Sequence, residues 1–512
     1  MDTTAILSTI LGLSCTIALL ARWRAKQRNP RSLPYPPSPP SQFLFGNLKD
    51  LPQGGNEWLK YEELGKRLGS DVGFLTVLGT PILFLNSFKA TTDLLDKKGL
   101  VYSDRPRLVM IKELMGWSWN LVIMSYKEGF VAHRKIVQQH FMPNVVTNNY
   151  RGVMVNETHV LVMSLLKNPE HFTDHLKRLA GAIIMMVVYG HQVAPEGDEF
   201  VRLAEEVRES AEKLPPGTGL VDTFPILKYL PSWFPGAGFK HFATERRKLS
   251  MAMREAPYKM VKEKLARGVV APSFTSNLLQ EMADGADLNE ELIQNCAGVI
   301  YSAGADTTST ALTNFFLAMM LYPEVQAKAQ KLLDDIVGRS RLPDFNDMDS
   351  LPYIGCLVKE TLRWKAVVPL GIPHFTTEAS EYRNWYIPKA TTVMANISCM
   401  LHDPTTYLSP DVFNPERFIK GSSNDTTIDP ARIAFGFGRR VCPGRFFAED
   451  SLWLAIACIL QTTTISMPSD ANEKSTVQGV TWTSGMVSNP TPFPCSIKPR
   501  FEAVERLISA ME

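Results

Sequence analysis

The chain has 512 residues, of which 45% are hydrophobic and 35 are prolines, and this length is enough for a large hydrophobic core. Its 54 basic and 52 acidic residues leave a formal net charge of +2, which argues against a nucleic-acid-binding protein. There is no internal repeat and no Gly/Ser-rich linker, so one large, mainly helical domain and several smaller domains are both open at this point.

The amino-terminal segment has the features of a membrane anchor. Residues 5–21 form an uncharged, mostly apolar run, near the length that crosses a hydrocarbon layer of ~30 Å as a helix. Basic residues follow this run, whereas a cleavable signal peptide carries its positive charge in front of it. We therefore predict a transmembrane helix at residues 1–22, in preference to a signal peptide or an interfacial helix. The positive-inside rule then places the rest of the chain in the cytosol.

A basic and proline-rich hinge is predicted at residues 23–41. Arg24, Lys26, Arg28 and Arg31 are followed by LPYPPSPP at residues 33–40. A segment this rich in proline is stiff and extended. The main domain is then expected at residues 42–512.

The proline-free stretch at residues 288–322 predicts one helix of ~50 Å, at 1.5 Å per residue. Residues 296–305 are apolar or small on nearly every face, which predicts burial all round. Polar side chains inside such a helix are costly. In one interpretation Thr307 and Thr308 bond back to helix carbonyls and Asp306 faces solvent. In the other, Gly304 lets the helix open beside a ligand, where Thr307 and Asp306 handle protons.

The seven cysteines are odd in number and widely scattered, which argues against a disulfide framework. No CxxC, CxxH or HExxH pattern occurs, so structural zinc is not expected. One cysteine, Cys442, stands in AFGFGRRVCPGRF at residues 434–446, among glycines, arginines and phenylalanines. It is a candidate nucleophile or a candidate metal ligand.

The neighbours of Cys442 favour a metal ligand. Arginines on both sides and glycines that let backbone N–H groups face the sulfur predict a lowered thiol pKa. A cysteine nucleophile also needs a base held beside it. An axial thiolate instead needs a flat apolar wall for a macrocycle and cations for the carboxylates of that macrocycle, and the phenylalanines and arginines match this need. A buried cysteine in a Gly-rich turn is the remaining alternative.

Two motifs carry a resemblance to a known family. Phe435, Gly438, Arg440, Cys442 and Gly444 match F-x-x-G-x-R-x-C-x-G, the haem-binding loop of the cytochrome P450 family. The residues AGADTT at 303–308 match its oxygen-binding motif, [AG]-G-x-[DE]-T-[TS]. The chain as a whole resembles microsomal members of that family, in particular basidiomycete enzymes of secondary metabolism.

The resemblance implies a fold, a cofactor and roles for residues. The fold would be mainly α (α+β), with a large helical domain, a small β-rich region and the amino-terminal transmembrane helix. The cofactor would be haem b with Cys442 as axial ligand of the iron. Thr307 would hydrogen-bond dioxygen and Asp306 would relay protons to it. The residues expected to bind the cofactor are Cys442, Arg440, Arg134, His374, Phe435, Gly438, Gly444, Ala303 and Gly304.

Other segments extend the resemblance, and one departs from it. Glu360, Arg363 and Arg417 occur in the order of the family's structural Glu-Arg-Arg triad. The residues YSDRP at 102–106 form another familiar segment. The departure lies in GFVAHRK at residues 129–135, where the family has W-R-x-x-R and this chain has Phe130 in place of the tryptophan. The haem propionates must then be bound by Arg440, Arg134 and His374, and we expect His133 on the helix surface.

The resemblance also implies partners and a location. No Gly-rich dinucleotide motif is present, so electrons would come from NADPH through an NADPH–cytochrome P450 reductase, with cytochrome b5 as a second donor. The reductase would dock near Lys135, Arg439 and Arg445. We expect a single-pass protein of the endoplasmic reticulum membrane with a cytosolic catalytic domain, and no nucleic-acid partner.

The expected activity is hydroxylation of a lipophilic small molecule, with a terpenoid as the favoured substrate class. The segments expected to line the pocket carry no Arg or Lys; they are residues 117–124, 299–303, 367–372 and 482–487. Residues 221–236 are apolar, aromatic and proline-rich, and are expected to form a lip that dips into the membrane. The alternatives are a haem-thiolate isomerase or dehydratase, and a haem carrier or gas sensor without enzymatic activity.

Overall fold

The computed structural model describes residues 26–27, 29–212, 219–421, 427–468, 479–502 and 504. This part of the chain is mainly helical, with three small sheets, in agreement with the expected fold class. The predicted anchor at residues 1–22 lies outside the described residues. Among the helices that are described, none combines the length and the apolar character that a membrane crossing requires.

The described helices differ widely in length. Eleven of them have ten residues or more: α1 (Glu57–Leu68), α2 (Glu128–His140), α3 (Arg151–Lys167), α4 (Phe172–Tyr189), α5 (Glu199–Glu212), α6 (Gly238–Ala266), α7 (Phe274–Ala283), α8 (Glu290–Leu321), α9 (Pro323–Ile336), α10 (Pro352–Trp364) and α11 (Arg445–Thr462). Short α-helices cover Phe88–Thr91, Gly99–Tyr102, Pro143–Val145, Gly219–Thr223, Ile397–Leu401 and Ala431–Ala434. Short 3₁₀ and π turns include Pro225–Tyr229, Phe345–Ser350, Pro415–Phe418, Gly438–Arg440 and Val109–Leu114.

The strands are short and form three sheets. They are β1 (Val72–Val77), β2 (Thr80–Leu85), β3 (His374–Phe375), β4 (Ser380–Tyr382), β5 (Trp385–Ile387), β6 (Thr392–Ala395), β7 (Thr463–Ser466) and β8 (Ser496–Pro499). The largest sheet has the order β1-β2-β6-β3, and β4-β5 and β7-β8 are separate pairs. β1 and β2 form a hairpin whose two turn residues, Leu78 and Gly79, both have positive φ, as a type I′ turn requires.

The proline-rich segment lies along the sheet. The Phe74 N–H donates to Pro37 O at 2.9 Å, and the Tyr386 N–H donates to Pro34 O at 2.8 Å. The Tyr35 ring stacks on Phe74 with ring centroids 5.2 Å apart. These contacts attach the predicted hinge to β1 and β5.

Helix α8 crosses the centre of the fold. It begins where the Asn289 side chain accepts a hydrogen bond from the Leu292 N–H, and it ends before Pro323, so the predicted helix at residues 288–322 is confirmed to within two residues. At 1.5 Å per residue it is ~48 Å long. Most of its side chains are buried in one continuous hydrophobic core, which also includes residues of α4, α10 and α11.

A buried ion cluster connects α10 to the chain that precedes the cysteine loop. The Glu360 carboxylate accepts two hydrogen bonds from Arg363, at 2.7 and 2.8 Å, and one from Arg417 at 3.2 Å. It also accepts one from the Asn414 N–H at 2.7 Å. The side chains of Glu360 and Arg363 are both 0% exposed. In this triad one buried carboxylate thus accepts hydrogen bonds from two guanidinium groups.

Replacing Glu360 by Gln is expected to destabilise the protein strongly. The substitution leaves two buried guanidinium groups without their carboxylate, and breaking one side of a buried ion pair costs ~3–5 kcal/mol. Glu206→Gln is the matched control, because its ion pair with Arg202 is exposed and contributes less than ~1 kcal/mol. Thermal or denaturant unfolding of the purified proteins measures the difference. Equal stability of the two variants would contradict a stabilising role for the triad.

Candidate active site

The cysteine loop is closed by its own backbone. The Cys442 N–H donates to Phe435 O at 2.8 Å, and the 3₁₀ turn Gly438–Arg440 lies between these two residues. Gly438 has a φ of +58°, and a Cβ at this position would lie 2.2 Å from Leu95 O. Only glycine fits both the conformation and the space. The loop is therefore held against the π turn at Thr92–Asp96, and α11 begins at Arg445.

Cys442 is surrounded by protein, yet part of its surface stays accessible, so open space borders the residue. The described cysteines, Cys442 among them, are free thiols. Burial raises the pKa of the Cys442 thiol, and the Gly444 N–H, Arg134 and Arg445 only partly oppose that effect. The expectation of a lowered thiol pKa is therefore wrong, because desolvation outweighs the positive neighbours.

Two arginines, the partly buried Arg440 and the buried Arg105, connect the cysteine loop to the segments before it. Arg440 donates to Ser103 O at 2.7 Å, to Met124 O at 2.7 Å and to Leu121 O at 3.3 Å. Arg105, which is 6% exposed, donates to Val122 O at 2.9 Å and to Ile372 O and Pro373 O at 2.8 Å each. Arg105 lies in the segment YSDRP, but its role was not predicted. Residues 121–124 and 372–373 are thus fixed by two guanidinium groups.

These arginines belong to a cluster with excess positive charge. Burial and Arg440 hold the pKa of Arg105 well below its usual value, and burial lowers the pKa of Arg440 to about 10. Burial also lowers the pKa of Arg134, the third arginine of the set. Asp104 is the carboxylate that favours the charged form of both Arg105 and Arg440. A dianionic group in this position would offset the remaining repulsion.

Phe130 occupies the position where the related motif has tryptophan. The guanidinium carbon of Arg440 lies 3.7 Å from the centroid of the Phe130 ring, which is close cation–π stacking. The Phe130 side chain is 3% exposed. The aromatic residue thus supports the arginine from one face, without donating a hydrogen bond of its own.

His374 is present in the cluster as a neutral side chain. Its Nδ1 atom lies 2.8 Å from Tyr102 O, so Nδ1–H is the donor, and the ring is 6% exposed. Burial holds the pKa of His374 well below its usual value, and Arg105 and Arg440 add to the effect. In the neutral ring Nε2 is an acceptor. Contact between His374 and a carboxylate remains a prediction, and it requires protonation at Nε2.

Helix α8 is accessible at residues 302–307. Ala303 is exposed, and its neighbours from Ser302 to Thr307 are partly exposed, whereas Tyr301 and Thr308 are buried. The expectation of burial all round through residue 305 is therefore wrong. The helix is nevertheless continuous at Gly304, where a Cβ would lie 2.5 Å from Ile184 Cδ1. Gly304 allows α8 to approach α4, and the helix is not opened here as the second interpretation of the sequence proposed.

The polar residues of this segment have identified partners. Thr307 Oγ1 donates to Ala303 O at 3.0 Å, as one interpretation of the sequence predicted. The Asp306 carboxylate lies 3.9 Å from Arg208 Nε of α5, and both side chains are 22% exposed. Asp306 is thus partly buried beside a cation that the sequence analysis missed. In the sequence, Arg208 is visible only as a basic residue in an amphipathic helix, and such a residue does not identify its partner.

His133 was expected on the surface of its helix, and this expectation is wrong. The residue is 8% exposed and lies between α2 and α8. Its Nδ1 atom is 2.6 Å from Gly129 O and its Nε2 atom 3.2 Å from Asn295 Nδ2. Burial lowers its pKa. The helix face that carries His133 packs against α8, because Phe130, Ile136 and Val137 share that side.

The site residues match the requirements of a haem group. Cys442 offers a thiol on a partly exposed residue, and metal coordination would take the place of its proton. Phe435 and Phe446 are partly buried beside it. The arginine cluster supplies donors and positive charge for two propionates. Ser103 Oγ is buried next to the cluster without a hydrogen-bond partner among the described residues.

Comparison with known proteins agrees with this arrangement. The family model Cytochrome P450 matches residues 36–493. A cytochrome P450 monooxygenase of Armillaria gallica is 41% identical over 96% of this chain and 97% of its own length. Cytochrome P450 monooxygenase 98 of Postia placenta is 40% identical over 95% of this chain and 94% of its own. An Ampulloclitocybe clavipes monooxygenase, claR, is 38% identical over 92% and 88%.

The chain therefore belongs to the cytochrome P450 family. It is an enzyme of the monooxygenase class, and the three relatives named above are fungal. Membership of this family implies a haem-thiolate cofactor.

Replacing Arg440 by Leu is expected to lower haem retention about tenfold or more. The variant loses donors to three carbonyl groups and one buried cation, and charge-assisted hydrogen bonds contribute ~1.5–3 kcal/mol each. Arg439→Leu is the control, because Arg439 is exposed and bonded to Tyr126 OH. Phe130→Trp keeps the ring under Arg440 and adds an N–H donor, so it should slow haem loss. The haem-to-protein ratio after gel filtration measures these effects.

An Arg440→Leu protein with the haem content of the wild type would exclude a role of Arg440 in cofactor binding. Faster haem loss in Phe130→Trp would show that residue 130 does not take the place of the family tryptophan.

Proposed function

We propose that this protein is a membrane-anchored haem-thiolate monooxygenase that hydroxylates a lipophilic small molecule. The proposal rests on two features that border the same hydrophobic core. One is the partly accessible Cys442 in a loop lined by arginines, and the other is the partly accessible polar segment of α8, a helix that is otherwise mostly buried. Dioxygen and electrons from NADPH, supplied by a reductase, are the proposed co-reactants.

The chain's own residues bind and orient the cofactor. When bound, the haem supplies oxygen activation, which a thiolate ligand favours by donating electron density. Cys442 would hold the iron, and Arg440, Arg105 and Arg134 would hold the propionates. Two of these arginines are already fixed by carbonyl groups, so little side-chain freedom is lost on binding.

Proton delivery is assigned to α8. Thr307 can accept a hydrogen bond at its hydroxyl oxygen while it donates to Ala303 O. Asp306 is one residue away, and its partly exposed carboxylate can exchange protons with solvent at the edge of the cavity. The Arg208 guanidinium lies 3.9 Å from that carboxylate.

The substrate is proposed to be a lipophilic molecule, with a terpenoid as the favoured class. The segments expected to line the pocket are mostly apolar and carry no Arg or Lys, which disfavours an anion. Large apolar side chains are exposed in residues 220–236, among them Trp233 at 80% and Ile226 and Tyr229 at 71% each. Several large apolar side chains exposed in one segment are typical of a membrane contact. A lipophilic substrate would enter from the bilayer at this surface.

The membrane anchor, the endoplasmic reticulum location and the redox partner complete the proposal. The apolar run at residues 5–21 supports an anchor with the catalytic domain in the cytosol. Lys135 and Arg439 are exposed and Arg445 is partly exposed, so these basic side chains are open to contact with an acidic reductase surface.

Replacing Cys442 by Ser is expected to abolish the red-shifted carbon monoxide band of the reduced protein, together with all substrate oxidation. An alcohol is a much poorer donor to iron than a thiolate. Cys399→Ser is the control, since its thiol already lies 3.4 Å from Asn86 O, which a hydroxyl can use as acceptor. A normal thiolate spectrum in Cys442→Ser would rule out the proposed function.

Replacing Thr307 by Ala is expected to leave haem content unchanged and to lower product formed per NADPH roughly tenfold, with hydrogen peroxide released instead. The reason is the loss of the hydroxyl that holds a proton donor beside the cavity. Thr313→Ala is the matched control: Thr313 Oγ1 bonds to Ser309 O at 2.8 Å in the same way, two turns away. Equal coupling in both variants would assign proton delivery to another residue.

A further inference from the structure

A buried hydrogen bond connects α8 to a turn formed by residues 481–491. Thr310 of α8 is 1% exposed and follows directly after the accessible segment of the helix. Its Oγ1 lies within hydrogen-bond distance of two oxygen atoms. One is Asp306 O, one helical turn earlier, at 3.0 Å, and the other is Oδ1 of Asn489. A residue outside α8 thus contacts the turn of the helix that carries Asp306 and Thr307.

The backbone of residues 481–491 holds Asn489 in place. The Asn489 N–H donates to Thr483 Oγ1 at 3.0 Å, and the Thr483 N–H donates to Asn489 O at 2.9 Å. Trp482 and Pro490 form an antiparallel bridge beside this pair. A second bond attaches the turn to α8, from Trp482 Nε1 to Asn314 Oδ1 at 3.2 Å. Because its backbone is paired on both sides, Asn489 is a fixed partner for Thr310.

The bond between Thr310 and Asn489 can form in either orientation of the amide. A hydroxyl group has one hydrogen, which Thr310 can donate to Asn489 Oδ1 or to Asp306 O. Asn489 Nδ2 is buried without a partner among the described residues, and a buried unpaired donor costs free energy. Rotation of the amide by half a turn would let Nδ2 donate to Thr310 Oγ1 while Thr310 donates to Asp306 O. The two side chains are bonded in both arrangements.

This part of α8 needs support from outside because its hydroxyl groups bond to its own backbone. Four of them donate to carbonyl groups one turn earlier, those of Thr307, Ser309, Thr310 and Thr313. Hydroxyl bonds of this kind weaken a helix slightly and often bend it. Asp306 O accepts two of them, from Ser309 and Thr310. The contact with Asn489 opposes bending at the residues to which proton delivery is assigned.

We propose that Asn489 is a positioning residue for proton delivery and acts through Thr310. The inference rests on the proposed function and deepens it, because it assigns part of the geometry of Asp306 and Thr307 to a residue of another segment. Thr307 and Thr310 are three residues apart and share one side of the helix. A shift of the helix at Thr310 would therefore move the Thr307 hydroxyl and the Asp306 carboxylate together.

The test uses the full-length holoenzyme with reductase and NADPH, in the absence of an organic substrate. Dioxygen that takes up two electrons and two protons leaves as hydrogen peroxide, whereas four electrons and four protons convert it to two water molecules. Each NADPH supplies two electrons, so hydrogen peroxide formed per NADPH consumed measures how often the later protons arrive. Thr310→Val and Asn489→Leu each remove the bond, and each should lower the share of NADPH that ends in water about threefold.

Three further variants separate positioning from a general structural effect. Thr313→Val is the matched control: Thr313 Oγ1 bonds to Ser309 O at 2.8 Å and has no hydrogen bond to another segment among the described residues, so the wild-type share of water should remain. Thr310→Ser keeps the hydroxyl group and should also keep that share. The double variant Thr310→Val/Asn489→Leu should match either single variant, because both lose the same bond. Haem content and the carbon monoxide band should be those of the wild type throughout.

The outcomes distinguish this inference from the proposed function. Equal shares of water in Thr310→Val and Thr313→Val would overturn the inference, as would additive losses in the double variant or a Thr310→Ser protein as impaired as Thr310→Val. If Asn489→Leu does not fold, the three threonine variants decide the question. A wild type that releases only hydrogen peroxide would overturn the inference and leave the haem-thiolate assignment standing. Absence of the thiolate band in the wild type would instead remove the proposed function.

Discussion

The position of the cysteine loop depends on one buried carboxylate, that of Glu360. Through Arg363 it reaches Leu401 O at 3.0 Å and Val412 O at 3.2 Å, and through Arg417 it reaches Leu408 O at 2.8 Å. The Glu360 carboxylate thus orients two arginines, and these arginines hold the backbone of the chain that leads to Cys442. An ion pair of this kind adds little net stability over apolar packing, but it specifies one arrangement of the chain.

Local sequence signals predicted the elements that depend on local interactions. The end of α8 follows from Pro323, which bounds the proline-free stretch, whereas its N-cap, Asn289, was identified only in the structure. The short strands were not predicted, because their existence depends on pairing with distant partners: Ile82 pairs with Thr392 and His374 with Val393. A strand of two to four residues carries too little periodicity to be recognised alone.

The candidate site divides in the same way. The cysteine loop and the AGADTT segment were recognised because their residues lie close together in sequence. Arg105 and Arg208 were missed, since their partners come from other segments of the chain. The burial of His133 and the raised pKa of Cys442 were predicted wrongly for one reason: both depend on how much protein surrounds the side chain, and burial is a tertiary property.

The pairing of β2 with β6 has a consequence for biosynthesis. Ile82 leaves the ribosome 310 positions before Thr392, its partner in the parallel register. At ~5–20 residues per second, translation of that interval takes ~15–60 s. Gly438 likewise meets Leu95 O only after another segment of similar length has been made. During this time the β1-β2 hairpin has an unpaired edge, and such an edge can pair with other chains until β6 has been synthesised.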